Sequence, residues 1–304
     1  MGFIVEIKKD GLTLNSKFPW RLGIVLFMAY PSLQKSEDDL ERALRFLTLD
    51  SFFDRFETTK ISEKGWNLFE KYACGRNIAR AFQPEVLSGI NISSTDESKR
   101  ASAVEYVKSE IDVWVKRGVY EFAICSGPRE PNLEKCKESL RKSLEDIAEH
   151  ASKYHAKICL ETFDIDKDRK LVMGRVEESA KFIREMRENY ENIFLMWDQS
   201  HAPLLGESPE SIREYVDILG TIHIGCAMQT TEGLKDWHPV YHTAGALNDE
   251  VDLASLLKVL FNAGYCGPIS VEIKPQEGQT PEEIINSAKG AIYAAYTLMI
   301  KDLL

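Results

Sequence analysis

The sequence predicts an α/β fold: a single (β/α)8 TIM barrel in which eight parallel strands each lead into a helix. Eight short apolar runs alternate with longer amphipathic segments, and the 304 residues exceed only modestly the ~250 typical of such barrels. No G-x-G-x-x-G motif follows the first apolar run, which disfavours the alternative, a doubly wound open sheet. We expect a short N-terminal extension over residues 1–20 and the barrel over residues 21–304.

The predicted strands are short runs rich in β-branched and aromatic residues. Their nearly continuous apolar character is typical of parallel strands that are covered on both faces. They lie at residues 22–27, 52–58, 78–82, 121–125, 157–163, 193–198, 221–225 and 269–273.

The segments between the strands carry signals for helix ends. An S-x-x-D motif beginning at Ser36 and the Thr-Pro-Glu-Glu sequence beginning at Thr280 each predict a helix N-terminus. Gly118 and Gly264 stand where helices should end, because glycine readily adopts the left-handed conformation found there.

Composition weighs against several classes of protein. With 38 basic and 48 acidic residues the formal charge is −10, and a chain without a basic block is poorly suited to bind nucleic acid. No segment approaches the run of about 18 apolar residues that suggests a membrane span. Six cysteines are scattered without C-x-x-C spacing, and the N-terminus lacks the pattern of a signal peptide. We therefore expect a cytoplasmic enzyme with reduced thiols, without nucleic-acid or membrane partners.

The ends of the last four predicted strands carry chemically active side chains. In a TIM barrel the carboxyl ends of the strands face the active site. A single acidic or imidazole side chain there is often structural, but four at successive strand ends are costly to bury unpaired. Two Glu, one Asp and one His suit Mn²⁺, Mg²⁺ or Co²⁺, and less strictly Zn²⁺. The predicted ligands of one divalent metal are Glu161, Asp198, His223 and Glu272.

Histidines are concentrated near these ligands. Four of them, His201, His223, His238 and His242, lie within residues 201–242, and none precedes residue 150. His201 follows Asp198 in a D-x-x-H arrangement. His238 is interpreted either as a solvated loop residue or as a substrate contact, and His242 as a solvated loop residue.

At these residues the sequence resembles the xylose-isomerase-like TIM barrels, a superfamily that includes sugar isomerases and epimerases, inosose dehydratase and apurinic-site endonucleases. The resemblance rests on the four predicted ligands, on the D-x-x-H motif and on the closing segment from Gly264 to Glu272. It is specific over residues 155–275 and architectural before them. It implies the same four-ligand metal site, with His201 contacting the substrate and the two glutamates flanking its reacting carbon.

The resemblance therefore gives catalytic and substrate-binding candidates. The candidate catalytic residues are Glu161, Glu272 and His201, and the candidate substrate contacts are His238, Glu57 and Lys274. Two departures from the family pattern concern the substrate. Cys226 stands where many members carry an acidic residue, and the loop after the seventh strand has no arginine, with Lys235 as its nearest cation.

These residues predict an enzyme of carbohydrate metabolism. A metal that polarises a carbonyl and a carboxylate that removes the neighbouring C–H proton would together produce an enediolate. The leading hypothesis is a metal-dependent isomerase or epimerase of a small keto-sugar or polyol. A dehydratase or lyase using the same chemistry is the main alternative, followed by an apurinic-site endonuclease and a non-catalytic sugar-binding subunit. The apolar run at residues 291–300 packs either on the barrel or on a second subunit, so a homo-oligomer remains possible.

Overall fold

The N-terminal extension is a β-hairpin that docks on the last helix. A computed structural model describes residues 2–304, beginning with the antiparallel strands β1 (Ile4–Lys9) and β2 (Leu12–Lys17). Tyr296, near the C-terminus, donates a hydrogen bond of 2.7 Å to the carbonyl of Lys17, and its ring packs edge-on against Phe3 and Phe18. The hairpin is thereby attached to the barrel through aromatic contacts.

Eight parallel strands form the closed barrel, so the predicted fold class is confirmed. The first seven are β3 (Leu22–Val25), β4 (Arg55–Thr58), β5 (Asn77–Ala81), β6 (Glu121–Cys125), β7 (Lys157–Glu161), β8 (Ile193–Asp198) and β9 (Leu219–Ile224). The chain then forms a small antiparallel sheet of β10 (Ala227–Thr230), β11 (Gly233–Lys235) and β12 (Ala246–Leu247). Finally β13 (Ile269–Val271) pairs with both β9 and β3 and closes the barrel. Each observed barrel strand overlaps the corresponding predicted one.

Helices connect and cover the strands. They are α1 (Leu26–Ala29), α2 (Leu40–Leu47), α3 (Glu63–Tyr72), α4 (Gln83–Leu87), α5 (Glu97–Lys116), α6 (Leu133–Ser152), α7 (Val176–Arg187), α8 (Ala202–Leu205), α9 (Glu250–Asn262) and α10 (Pro281–Leu303), with 3-10 helices at Pro31–Gln34 and Pro209–Ile218. Within residues 2–304, no helix combines the length and the apolar character that crossing a membrane requires. The apolar face of α10 is buried within this chain, including Ile292 and Met299.

Most predicted helix ends agree with the structure. The Thr280 hydroxyl accepts a hydrogen bond from the Glu283 amide while the Glu283 carboxylate accepts one from the Thr280 amide, a complete capping box. Gly118 and Gly264 have φ values of 79° and 74° and follow helix ends as predicted. The helix predicted after Ser36 is present as α2, which begins at Leu40, but Ser36 does not cap it: Asp39 is at the N-cap position, and the Ser36 hydroxyl donates to the Asp38 carboxylate.

The interior of the barrel contains a charged layer where branched apolar side chains are more usual. Arg55, 2% exposed, donates hydrogen bonds of 3.1 Å to Glu57 and 2.6 Å to Glu121. Gly23, on the adjacent β3, provides the space for this arrangement. A Cβ atom at Gly23 would clash with Ser270 Oγ and lie 3.0 Å from Arg55 Cβ.

We therefore expect Gly23→Ala to lower the free energy of unfolding by about 1–3 kcal/mol, the usual range for overpacking a core. Gly290→Ala is the matched control, because a Cβ there meets nothing within 4 Å and Gly290 lies inside α10. That change should raise the free energy of unfolding by about 0.4–1 kcal/mol. Urea unfolding of both variants is the measurement, and equal effects would contradict the tight interior layer.

Candidate active site

The four predicted metal ligands meet at the carboxyl end of the barrel. Glu161 ends β7, Asp198 ends β8, His223 lies near the end of β9 and Glu272 follows β13 directly. One potential ligand atom from each lies within 4.8 Å of those of the other three, and all four residues are buried. His223 Nδ1 is 2.6 Å from Glu272 Oε2 and 3.8 Å from Glu161 Oε1. The parallel strand order brings together side chains that lie far apart in the sequence.

The chemistry of this cluster suits a divalent cation. Glu161 Oε1 and Asp198 Oδ2 are buried and have no hydrogen-bond partner among residues 2–304. Such atoms normally have partners, because leaving a buried polar atom unpaired costs about 1–3 kcal/mol. Burial raises the pKa of Glu161 to about 8, and the Glu272 carboxylate adds to this effect while His223 opposes it. A cation between the carboxylates would satisfy both unpaired oxygens and relieve their repulsion.

A second group of possible ligands adjoins the first. Asp198, His201 and His238 bring one ligand atom each within 4.8 Å of the others. The Asp236 carboxylate joins them, because its Oδ1 lies 3.1 Å from His201 Nε2 and 2.7 Å from His238 Nε2. Burial alone would lower the pKa of His238, but the charges of Glu272 and Asp236 raise it to about 9.

Two expectations for the loop histidines can be compared with this geometry. His238 is 2% exposed and faces Ser200 and Asp236, so its interpretation as a solvated loop residue is wrong. His242 is 66% exposed beside Glu250, and its interpretation as a solvated residue is confirmed.

Glu57 contacts His223 but is not among the residues that line the cavity. Its Oε2 is 3.0 Å from His223 Nε2, and its Oε1 accepts hydrogen bonds from Ser270 Oγ at 2.6 Å and Arg55 Nε at 3.1 Å. Burial would raise the pKa of Glu57, but the charges of His223 and Arg55 hold it far below its ordinary value. For His223, burial is likewise outweighed by Glu57 and Glu272, which raise its pKa well above 6.5.

A cavity of about 330 Å³ lies beside both groups of ligands. Its lining includes the apolar side chains of Val25, Phe27 and Leu87 and the polar side chains of His223, Glu272 and Lys274.

Three residues of the site were not among the predicted site residues. Gln83 lines the cavity and donates a hydrogen bond of 2.6 Å from Nε2 to Glu161 Oε2. Arg169, from the loop after β7, also lines the cavity and lies 2.9 Å from Asp236 Oδ2. The D-x-H spacing of Asp236 and His238 was a usable signal for Asp236. No local pattern distinguishes Gln83 or Arg169 from ordinary polar loop residues.

Comparison with known proteins agrees with this architecture. The sequence model of the family described as "Xylose isomerase-like TIM barrel" matches residues 50–289, so the chain belongs to that family. A search of curated proteins finds no match.

Solved structures share the fold over nearly their whole length. An L-ribulose 3-epimerase has a TM-score of 0.74 at 20% identity and covers 93% of this chain and 97% of its own. The IolI protein with a bound zinc atom has a TM-score of 0.70 at 19% identity, covering 92% and 98%. The D-psicose 3-epimerase of Clostridium cellulolyticum H10, with D-tagatose, has a TM-score of 0.66 at 18% identity, covering 92% and 98%. At these identities the similarity establishes the fold.

The loop that carries Arg169 is organised by one buried carboxylate. Asp164, 1% exposed, accepts hydrogen bonds from the five consecutive backbone amides of residues 166–170. Asp168 extends the contact by accepting a hydrogen bond of 3.0 Å from the Asp236 amide. The loop after β7 is thereby joined to the loop after β9.

Asp164→Ala should release this loop. Hydrogen bonds to a charged group contribute about 1.5–3 kcal/mol each, so we expect amide hydrogen exchange at residues 166–170 to accelerate at least about tenfold. The exposed Asp166 provides the control, and Asp166→Ala should leave exchange in this loop unchanged. Equal protection in both variants would show that Asp164 does not organise the loop.

Proposed function

We propose that the protein is a divalent-metal-dependent sugar isomerase or epimerase that moves a carbon-bound proton of a small keto-sugar or polyol. The observation that carries the proposal is the four-ligand cluster, whose unpaired carboxylate oxygens lie beside a cavity of about 330 Å³. This volume lies within the ordinary range for small-molecule sites. The folds of the ribulose and psicose 3-epimerases support the same class of reaction.

Glu161, Asp198, His223 and Glu272 would hold the metal. Mn²⁺, Mg²⁺ and Co²⁺ suit this oxygen-rich set, and Zn²⁺ is compatible with it. When bound, the cation supplies Lewis-acid stabilisation of negative charge on a substrate oxygen.

Proton transfer is assigned to the two glutamates. A general base must reach the C–H proton within about 3 Å and must be ionised. Gln83 Nε2 donates a hydrogen bond to Glu161 Oε2 and so orients the carboxylate that would both contact the cation and remove the proton. Glu272 is proposed to return a proton to the other face of the same carbon. His201, His238 and Lys274 are proposed to bind substrate hydroxyl groups.

Arg169 is proposed to supply the cation that the loop after β9 lacks. Arg169, in the loop after β7, lines the cavity, and its Nε lies 2.9 Å from Asp236 Oδ2. Expulsion of a β-leaving group after the same proton removal would make the enzyme a dehydratase or lyase, which remains the main alternative.

A second candidate function is favoured by one observation. The second ligand group, His201, Asp236 and His238 with Asp198, could hold another cation next to the first. Paired metals about 3.5–4 Å apart are typical of phosphoester hydrolases, including the endonuclease branch of the family. The formal charge of −10 weighs against a nucleic-acid substrate.

Metal analysis distinguishes the two candidates. Purified protein loaded with Mn²⁺ or Zn²⁺ and freed of excess metal should retain one equivalent. His201→Ala should leave that equivalent in place while turnover falls, because His201 is assigned to the substrate. Two retained equivalents, one of them lost in His201→Ala, would favour the hydrolase.

Glu161→Gln and Glu272→Gln test the assigned proton transfer. Each keeps the size of the side chain and one oxygen donor but removes the basic carboxylate. A general base contributes about 10²–10⁴-fold, so each variant should lose at least 10²-fold in exchange of a carbon-bound proton with deuterated solvent, measured by NMR on a panel of ketoses and inososes at saturating metal.

Cys226→Ser is the control for these variants. Burial raises the pKa of the Cys226 thiol, which lies 3.3 Å from the Asn248 carbonyl oxygen, so it is not poised as a nucleophile. Activity should therefore persist. A loss equal to that of the glutamate variants would favour thiol chemistry, and full activity of both glutamate variants would refute the proposed mechanism.

A further inference from the structure

His223 is held from both sides of its ring. Nδ1 faces the four-ligand cluster, 2.6 Å from Glu272 Oε2, and Nε2 faces Glu57 Oε2 at 3.0 Å. Glu57 is 1% exposed and His223 2% exposed, so water cannot readily replace either contact. An imidazole binds a metal through the nitrogen that carries no proton, and the partner of its other nitrogen decides which one that is.

Glu57 is itself fixed from below by the charged layer of the barrel. Its Oε1 accepts from Ser270 Oγ at 2.6 Å and from Arg55 Nε at 3.1 Å. Arg55 is tied in turn to Glu121 at 2.6 Å. Gly23 leaves the space that Ser270 and Arg55 occupy. Residues of four strands, β3, β4, β6 and β13, thus fix the Glu57 carboxylate next to the His223 ring.

Burying these charged side chains costs more free energy than a purely structural role would justify. A buried ion pair rarely stabilises a fold more than apolar side chains of the same volume would, since both charges must be removed from water. The interior of a barrel is usually filled by branched apolar residues. A charged layer directly beneath the candidate metal cluster is therefore better explained by what it does to His223.

We propose that Glu57, oriented by Arg55, is a positioning residue that keeps the His223 proton on Nε2 and so presents Nδ1 to the metal. The inference rests on the proposed function, because it requires a cation at the four-ligand cluster. It gives Glu57 a role in metal affinity and in the orientation of the His223 ligand, instead of the substrate contact expected from the sequence.

Glu57→Gln tests the inference with the metal alone as the probe. Loss of such a partner typically lowers metal affinity about 10–100-fold, so the Zn²⁺ dissociation constant, measured by competition with a chelator, should rise by that factor. In protein labelled with ¹⁵N-histidine and loaded with Zn²⁺, the His223 Nε2–H resonance should also lose the downfield shift that a carboxylate acceptor confers. A purely structural role would leave the Zn²⁺ dissociation constant unchanged whenever the variant is folded.

Glu121→Gln is the matched control. It makes the same chemical change on another carboxylate bound to Arg55, but Glu121 does not contact His223. Glu121 acts on His223 only through Arg55, so the Zn²⁺ dissociation constant of this variant should rise far less than that of Glu57→Gln, and its His223 Nε2–H resonance should keep its downfield shift. Thermal unfolding of the metal-free proteins checks that each variant is folded.

Arg55→Met combined with Glu57→Gln covers the case in which Glu57→Gln alone fails to fold, since it leaves no unpaired arginine. It should show the same loss of Zn²⁺ affinity. Unchanged affinity in a folded Glu57 variant, or an equal loss in Glu121→Gln, would overturn the inference. An unmodified protein that binds no Zn²⁺ would refute the proposed function as well, and the two failures are thus distinguishable.

Discussion

The burial of many charged side chains inside one barrel is the constraint on which the rest of the structure depends. Glu57, Glu161 and Asp198 are each at most 2% exposed, and isolated charges in such surroundings would be prohibitively costly. The fold answers with shared partners: His223 lies between Glu57 and Glu272, and Asp236 lies between two histidines. Within residues 2–304, Glu161 Oε1 and Asp198 Oδ2 nevertheless have no hydrogen-bond partner. The cation that we propose for the four-ligand cluster would complete this electrostatic balance.

The strands and the four-ligand cluster could be predicted because their signals are local. Apolar runs in the sequence indicate the strands. In a parallel barrel the carboxyl ends of neighbouring strands lie side by side, so residues that end successive strands are expected to meet. Glu57 shows the limit of this reasoning. Arg55 and Glu57 are two positions apart on β4, and residues i and i+2 of a strand share a face. Both could therefore have been assigned to the barrel interior, but the contact with His223 depends on β9, far away in the sequence.

The loop residues could not be predicted for a different physical reason. Two contacts position Arg169 at the cavity. The Asp164 carboxylate accepts hydrogen bonds from the amides of residues 166–170, and the Asp236 carboxylate forms an ion pair with the guanidinium. Neither contact has a periodicity or spacing that a sequence displays. Ser36 is the converse case: its capping motif correctly predicted the helix that follows, but its hydroxyl donates to the Asp38 carboxylate and Asp39 is at the N-cap position.

The central claim is that one divalent cation completes the cluster formed by Glu161, Asp198, His223 and Glu272. Anomalous diffraction from crystals grown with Mn²⁺ tests it most directly. We expect a single strong peak with a ligand atom of each residue at about 2.0–2.6 Å, the range of metal–ligand bonds in proteins. A cluster without a peak at saturating Mn²⁺, or a cation bound elsewhere while the four side chains keep their direct contacts, would contradict it.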